Sequence, residues 1–132
     1  MTQQEIAREF MQGRNCAQCV FTAFAEQAGF DPEESDRIAA CFGGGMGMSQ
    51  TCGAVTGGLM AIGLLEGGAE EAAAFRAEFA AQNGSCLCLD LVGVDFSDAE
   101  QAKRARASGA LLERCPALVE SACAIVKTVM ER

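Results

Sequence analysis

Apolar residues recur along most of this chain at the spacing of one face of an α-helix. Val20, Phe21 and Phe24 are one example of this spacing. No segment has the sustained alternation of apolar and polar residues that marks a half-buried strand. The pattern predicts an all-α fold. Since the 132 residues fit one ordinary hydrophobic core, we expect a compact helical bundle in a single domain, residues 1–132.

Capping residues predict where the helices begin. Candidate N-caps are Thr2, Asn15, Asp31 and Ser97, and Pro116 follows Cys115 as a further start signal. The predicted helices cover about residues 2–13, 16–28, 31–42, 52–65, 69–82, 97–107 and the segment from 115 onward. Between the fifth and sixth of these helices, residues 85–96 are expected to form a compact turn or short helix.

The segment from Cys52 to Leu65 has no charged residue and is built largely of Gly, Ala, Val, Leu and Met. A helix that is apolar all round has no solvent face, so this one is predicted to be central and buried on all sides. Its small residues Gly53, Gly57 and Ala61 recur every fourth position, which permits close approach by a neighbouring helix. The preceding segment, residues 43–48, is too rich in glycine to form a stable helix.

Ten basic and eighteen acidic residues give a net charge of −8. This charge disfavours nucleic acid and anionic membrane surfaces as partners. We interpret Lys103, Arg104 and Arg106 as the solvated side of a helix. The N-terminus lacks the pattern of a secretory signal, and the longest apolar stretch is too short to span a membrane, so a cytoplasmic location is expected.

Eight cysteines and no histidine narrow the chemistry to sulfur. Without histidine, a Ser-His-Asp triad, a Cys-His pair and histidine metal ligation are all excluded. In a reducing cytoplasm, a permanent disulfide framework is not expected. The cysteines are therefore buried apolar residues, metal ligands or redox-active thiols.

Three cysteines fall at predicted helix N-termini: Cys16 in a first turn, Cys52 after the glycine-rich segment, and Cys115 at an N-cap. Unpaired backbone N–H groups and the helix dipole favour a thiolate at such positions. The position of these cysteines thus predicts lowered thiol pKa values and a capacity to bind metal.

Four ordered blocks of residues carry a family resemblance. They are Asn15-Cys16-Ala17-Gln18, Phe42-Gly43-Gly44-Gly45 with Cys52-Gly53-Ala54-Val55-Thr56-Gly57, the Cys88-x-x-Leu-x-Gly segment, and Cys115 with Leu118-Val119. Over about residues 8–130 the chain resembles the small redox-active proteins named for a C-GCAxxG-C-C pattern, whose central signature is CGAxxG.

The resemblance implies four functional cysteines, Cys16, Cys52, Cys88 and Cys115, acting as redox-active thiols or as metal ligands. A related domain, attached to a split-Soret type cytochrome, is associated with an iron–sulfur cluster. Four thiolates suit a two-iron two-sulfur cluster or a structural zinc ion. We therefore expect a small redox or electron-transfer protein. The alternatives are a metal-free thiol–disulfide protein and a metal-binding or structural module without turnover.

The remaining candidate residues surround this predicted site. Gly44, Gly45 and Gly53 are expected to bind the cofactor region by close backbone approach, with N–H groups directed at sulfur near Cys52. Four cysteines lie outside the proposed set: Cys19, Cys41 and Cys123, interpreted as core residues, and Cys86, which is the alternative to Cys88. The electron donor and acceptor, an unspecified redox partner protein and a homodimeric state all stay open.

Overall fold

A computed structural model describes residues 1–131, in which helices form without any strand. The helices are α1 (Gln3–Met11), α2 (Cys16–Gln27), α3 (Pro32–Ala39), α4 (Gly53–Leu64), α5 (Ala69–Asn83), α6 (Cys88–Val92), α7 (Ala99–Ser108) and α8 (Ala110–Met130). The all-α prediction is confirmed. Within the same residues, no helix combines the length and apolar character needed to cross a membrane.

Local capping explains most of the helix starts. The Asn15 side chain accepts the N–H of Gln18, and the Gln18 side chain accepts the N–H of Asn15 in return. The predicted cap of α7 is wrong by one residue. Asp98 accepts the N–H groups of Glu100 and Gln101, whereas Ser97 precedes the cap. The carboxylate of Asp98 is the stronger acceptor for these unpaired donors.

The predicted start of the last helix at Cys115 is also wrong. Helix α8 begins at Ala110, directly after Gly109. The φ of +78° at Gly109 interrupts the helical conformation between α7 and α8. Pro116 lies inside α8, where its missing N–H removes one backbone hydrogen bond without ending the helix. Cys115 therefore lies within a helix and has no helix N-terminus beside it.

Helix α4 occupies the centre of the fold and packs most extensively against α2, with α8 and α5 on its other sides. Its first half is buried, as predicted, but Gly63 in its last turn is exposed. The close approach predicted from the small residues is confirmed. A Cβ atom placed on Gly57 lies only 2.8 Å from the carbonyl oxygen of Ala17 on α2.

Apolar side chains from α5 and α8 form much of the core around α4. Phe75 and Phe79 are fully buried, with ring centroids 6.1 Å apart. The Phe75 ring lies directly against Gly58 of α4. Val119 and Val126 of α8 complete the same cluster. This packing fixes the N-terminal end of α4, where Cys52 lies.

Two glycines of α4 allow a matched test of this packing. Alanine gains about 0.8–1 kcal/mol of helix propensity over glycine at either position. At Gly63 nothing lies within 4 Å of the added Cβ, so Gly63→Ala should raise the free energy of unfolding. At Gly57 the clash with Ala17 should cost about 1–3 kcal/mol and reverse the sign. Urea unfolding followed by circular dichroism measures both, and equal effects would contradict the close approach of α4 to α2.

Candidate functional site

The four cysteines of the family pattern line one cavity of about 660 Å³, although they are far apart in sequence. Each comes from a different part of the fold: Cys16 begins α2, Cys52 is the N-cap of α4, Cys88 begins α6 and Cys115 lies on α8. All four side chains are buried. The structure thus brings the sequence-predicted site residues to one place.

Cys16 and Cys52 lie side by side in the cavity wall, because the backbone that follows Cys52 packs directly on the sulfur of Cys16. Gly53 makes this contact possible. A Cβ atom at position 53 lies 2.5 Å from Cys16 Sγ, which is too close for any side chain. Gly53 therefore has the close-approach role expected for it, and the residue that follows Cys52 must be glycine.

The two neighbouring sulfurs have pKa values shifted in opposite directions. The thiol of Cys52 lowers the pKa of Cys16 to about 7, against the opposing effect of burial, and the N–H groups of Cys16, Gly44 and Ala17 add to the lowering. Proximity to Cys16, together with burial, raises the pKa of Cys52. Cys16 is therefore the sulfur of the pair that ionises first as the pH rises.

The other two buried cysteines of the cavity, Cys88 and Cys115, are protonated thiols at neutral pH. Burial, reinforced by the negative charge of Cys16, raises the pKa of Cys88 to about 11. The same two causes, with Cys88 as a further charge, raise the pKa of Cys115. The expectation that a helix N-terminus lowers the pKa of Cys115 is wrong, because this residue lies inside α8. Cys88, not Cys115, is the third cysteine at a helix start.

A wide turn of residues 45–49 supports the cavity wall, closed by the N–H of Gln50 donating to the carbonyl of Gly45 at 3.2 Å. The backbone N–H of Gly44 is directed at Cys16, not at Cys52 as expected. A Cβ atom on Gly45 lies 2.9 Å from the Cβ of Cys88. The φ angles of Gly44 and Gly45 are +64° and +62°, a conformation that favours glycine.

Backbone hydrogen bonds hold the segments before α4 and α6 side by side. The N–H of Cys52 donates to the carbonyl of Cys86 at 2.8 Å, and the N–H of Cys88 donates to the carbonyl of Gln50 at 2.6 Å. Between them, Thr51 and Leu87 form an isolated antiparallel bridge. This pairing fixes Cys52 and Cys88 on the same side of the cavity.

The remaining cysteines do not all follow the sequence interpretation. Cys19 is fully buried, and Cys123 packs against the core, so both agree with it. Cys86 is half-buried and donates its S–H to the Arg76 carbonyl, away from the cavity. The assignment of Cys41 to the core is wrong: α3 ends at Ala39, two residues earlier, and leaves Cys41 exposed beside the cavity.

The spacing of potential ligands limits which metal sites residues 1–131 can form. Among residues 1–131, no group of three or more cysteine, aspartate, glutamate or histidine side chains lies close enough to hold a metal ion. A tetrahedral zinc site needs its four ligands around a single point. The arrangement of thiols in this cavity is therefore not that of a structural zinc site.

The lowered pKa of Cys16 predicts its reactivity with pH. The rate at which iodoacetamide alkylates Cys16 should rise as the pH passes through 7 and reach half its maximum at the pKa of about 7, because only the thiolate reacts. Cys52→Ala removes the neighbouring thiol and should move the midpoint upward by about one unit or more. Cys88→Ala, which also alters the cavity wall but removes no donor to Cys16, is the control. Peptide mass spectrometry measures each site, and identical midpoints in all three proteins would contradict the effect of Cys52 on Cys16.

One family model matches the chain. Its description is "Putative redox-active protein (C_GCAxxG_C_C)", and the match covers residues 14–129. This range includes the four buried cavity cysteines, the exposed cavity residue Cys41 and the Cys52–Gly57 motif, which here has the order Cys-Gly-Ala. Neither a curated protein nor a solved structure matches the chain. Because the matched range is most of the chain, this eight-cysteine helical protein belongs to the C_GCAxxG_C_C family of putative redox-active proteins.

Proposed function

We propose that the chain is a thiol–disulfide redox protein whose reacting groups are Cys16 and Cys52. The proposal is supported by the packing of Gly53 against Cys16 Sγ, which brings Cys52 beside that sulfur, and by the pKa of Cys16, which the neighbouring thiol lowers to about 7. A thiolate is the nucleophile in disulfide exchange. A second thiol already beside it can resolve the mixed disulfide without a large rearrangement.

The proposed reaction balances as a two-electron exchange. The Cys16 thiolate attacks one sulfur of a substrate disulfide, whose S–S bond breaks and releases the first substrate thiolate. Cys52 then gives its proton to that thiolate and attacks the sulfur of Cys16. The mixed disulfide breaks and the second substrate thiolate leaves. The substrate disulfide has been reduced, and the Cys16–Cys52 pair has been oxidised to a disulfide; the reverse sequence oxidises a substrate dithiol.

The surroundings of the pair restrict what reacts with it. Cys16 is only 7% exposed and Cys52 only 2% exposed. A substrate sulfur must therefore enter the cavity, whose volume of about 660 Å³ accommodates a small disulfide. The N–H groups of Gly44 and Ala17 stabilise the Cys16 thiolate and leave Cys52 as the thiol that closes the disulfide.

Trapping tests the order of attack. Cys52→Ser removes the resolving thiol, so protein treated with 2-hydroxyethyl disulfide should accumulate a mixed disulfide on Cys16. Cys16→Ser should abolish exchange at the cavity. Cys123→Ser, a half-buried position on α8 outside the cavity, should keep the parent rate and cost about 1 kcal/mol of stability.

Intact-mass measurement and peptide mapping identify the modified cysteine. An adduct located on Cys41 or Cys86 in the Cys52→Ser protein, with Cys16 unmodified, contradicts the proposal. So does an equal loss of exchange in Cys52→Ser and Cys123→Ser, because the latter position has no contact with the pair.

A second candidate is an iron–sulfur cluster, favoured by the presence of Cys88 and Cys115 on the same cavity, which a dithiol pair does not require. The donor set fits a two-iron two-sulfur cluster, since four cysteines share its two irons and each iron needs only two of them. Cys16, Cys52, Cys88 and Cys115 would be its ligands in this proposal. Such a cluster supplies one-electron transfer when bound.

Iron loading separates the two candidates. If the cluster is the cofactor, anaerobically purified protein should absorb visible light and contain iron and sulfide. Cys88→Ser should then remove most of the bound iron, whereas Cys86→Ser, two positions earlier and outside the cavity, should retain it. Equal iron content in the two variants, or an iron-free parent protein, would contradict the cluster. A structural module without turnover would show neither bound iron nor disulfide exchange.

A further inference from the structure

The charge around the cavity is opposite to the charge of the chain as a whole. The chain carries a net charge of −8, yet among residues 1–131 the charged side chains that line the cavity are those of Arg14 and Arg106, with no aspartate or glutamate. An anionic molecule approaching the protein is repelled by most of the surface. The cavity is where that repulsion is locally reversed.

Arg14 is already neutralised by its neighbours. It forms salt bridges with Glu9 at 3.0 Å and with Asp36 at 2.6 Å, and a third N–H donates to the carbonyl of Gln18. Arg106 is different: within residues 1–131 it has no ion pair. The positive charge available to a ligand in the cavity is therefore that of Arg106.

The Arg106 side chain is exposed to solvent and makes an aromatic contact where it lines the cavity. Its guanidinium carbon lies 5.9 Å from the ring centroid of Phe96, within cation–π distance. The same ring packs on Gly44, where an added Cβ atom lies 3.1 Å from it. The N–H of Phe96 donates to Ser49 Oγ at 2.6 Å, which ties this segment to the wide turn. Arg106 is thus connected through Phe96 to Gly44, the residue whose N–H reaches Cys16.

We propose that the substrates of this cavity are small disulfides that carry a carboxylate, with Arg106 as the specificity-determining residue. The inference rests on the proposed thiol–disulfide function and names its substrate class. A guanidinium binds a carboxylate through two parallel N–H donors. Phe10, Leu111 and Leu112 line the same cavity and provide apolar contacts for the methylene groups between the carboxylate and the disulfide. With its carboxylate bound to Arg106, such a substrate would extend its disulfide into the cavity toward Cys16.

Two disulfides of similar size test the charge preference. The dianionic 3,3′-dithiodipropionate should oxidise the parent protein faster than neutral 2-hydroxyethyl disulfide, after each rate is divided by its rate with free dithiothreitol. Arg106→Gln should lower the normalised rate of the anionic disulfide about threefold to tenfold, the effect of one charge at close range in a partly solvated site. The rate of the neutral disulfide should not change.

Arg104→Gln is the matched control, because it removes the same charge from the same helix at an exposed position outside the cavity. It should keep the parent preference. Arg106→Lys should retain part of it, and circular dichroism should show the same helix content in all variants. If Arg104→Gln and Arg106→Gln lower the anionic rate equally, the effect belongs to overall charge and the role of Arg106 is overturned.

Alkylation gives a second measurement that needs no disulfide exchange. Iodoacetate is anionic and iodoacetamide is its neutral counterpart, so the ratio of their rates at Cys16 reports the local charge. This ratio should fall about threefold or more in Arg106→Gln and stay unchanged in Arg104→Gln.

The two measurements separate the inference from the function it rests on. If both disulfides react at equal normalised rates and the alkylation ratio is the same in the parent and in Arg106→Gln, the substrate assignment fails and the proposed function stands. If neither disulfide reacts while the alkylation ratio depends on Arg106, the cavity attracts carboxylates but disulfides are not its substrates. That result overturns both the function and the substrate assignment.

Discussion

The placement of Cys52 beside Cys16 depends on how closely α4 approaches α2. That approach requires positions without side chains: a Cβ atom on Gly53 lies 2.5 Å from Cys16 Sγ, and one on Gly57 lies 2.8 Å from the carbonyl of Ala17. The glycines of the family motif therefore affect the reactivity of Cys16 and Cys52 by allowing the backbone to approach this closely. They set the distance between two sulfurs that come from different helices, and through it the charge that each sulfur carries.

Burial raises the pKa of the buried thiols in this fold unless hydrogen-bond donors to the sulfur oppose it. It raises the pKa of Cys19 to about 12 and that of Cys88 to about 11, although Cys88 begins a helix. Helix α6 has only five residues, so its N-terminus does little to offset the loss of solvent. Cys16 is also buried, but a thiol and three backbone N–H groups donate to it and lower its pKa to about 7.

Local signals in the sequence predicted most of the fold, and they failed where the answer depended on distant contacts. The capping box at Asn15 placed α2 correctly, because both of its hydrogen bonds are made within one turn. Pro116 suggested a helix start, but Gly109 makes the break and α8 continues through the proline. The interpretation of Arg106 as a solvated residue agrees with its exposed side chain, but no local pattern reveals that this side chain also lies over Phe96 and lines the cavity. The family blocks preferred Cys88 to Cys86, and Cys88 is the one that lines the cavity.

The identity of the first disulfide formed on oxidation tests the central claim most directly. Reduced protein titrated with a limiting amount of 2-hydroxyethyl disulfide, quenched in acid and digested for peptide mass spectrometry, reveals which sulfurs have paired. The account predicts a Cys16–Cys52 disulfide, formed between α2 and α4 before any other. Preferential formation of a sequence-local pair, Cys16–Cys19 or Cys86–Cys88, would contradict it, because those pairs require no contact between helices.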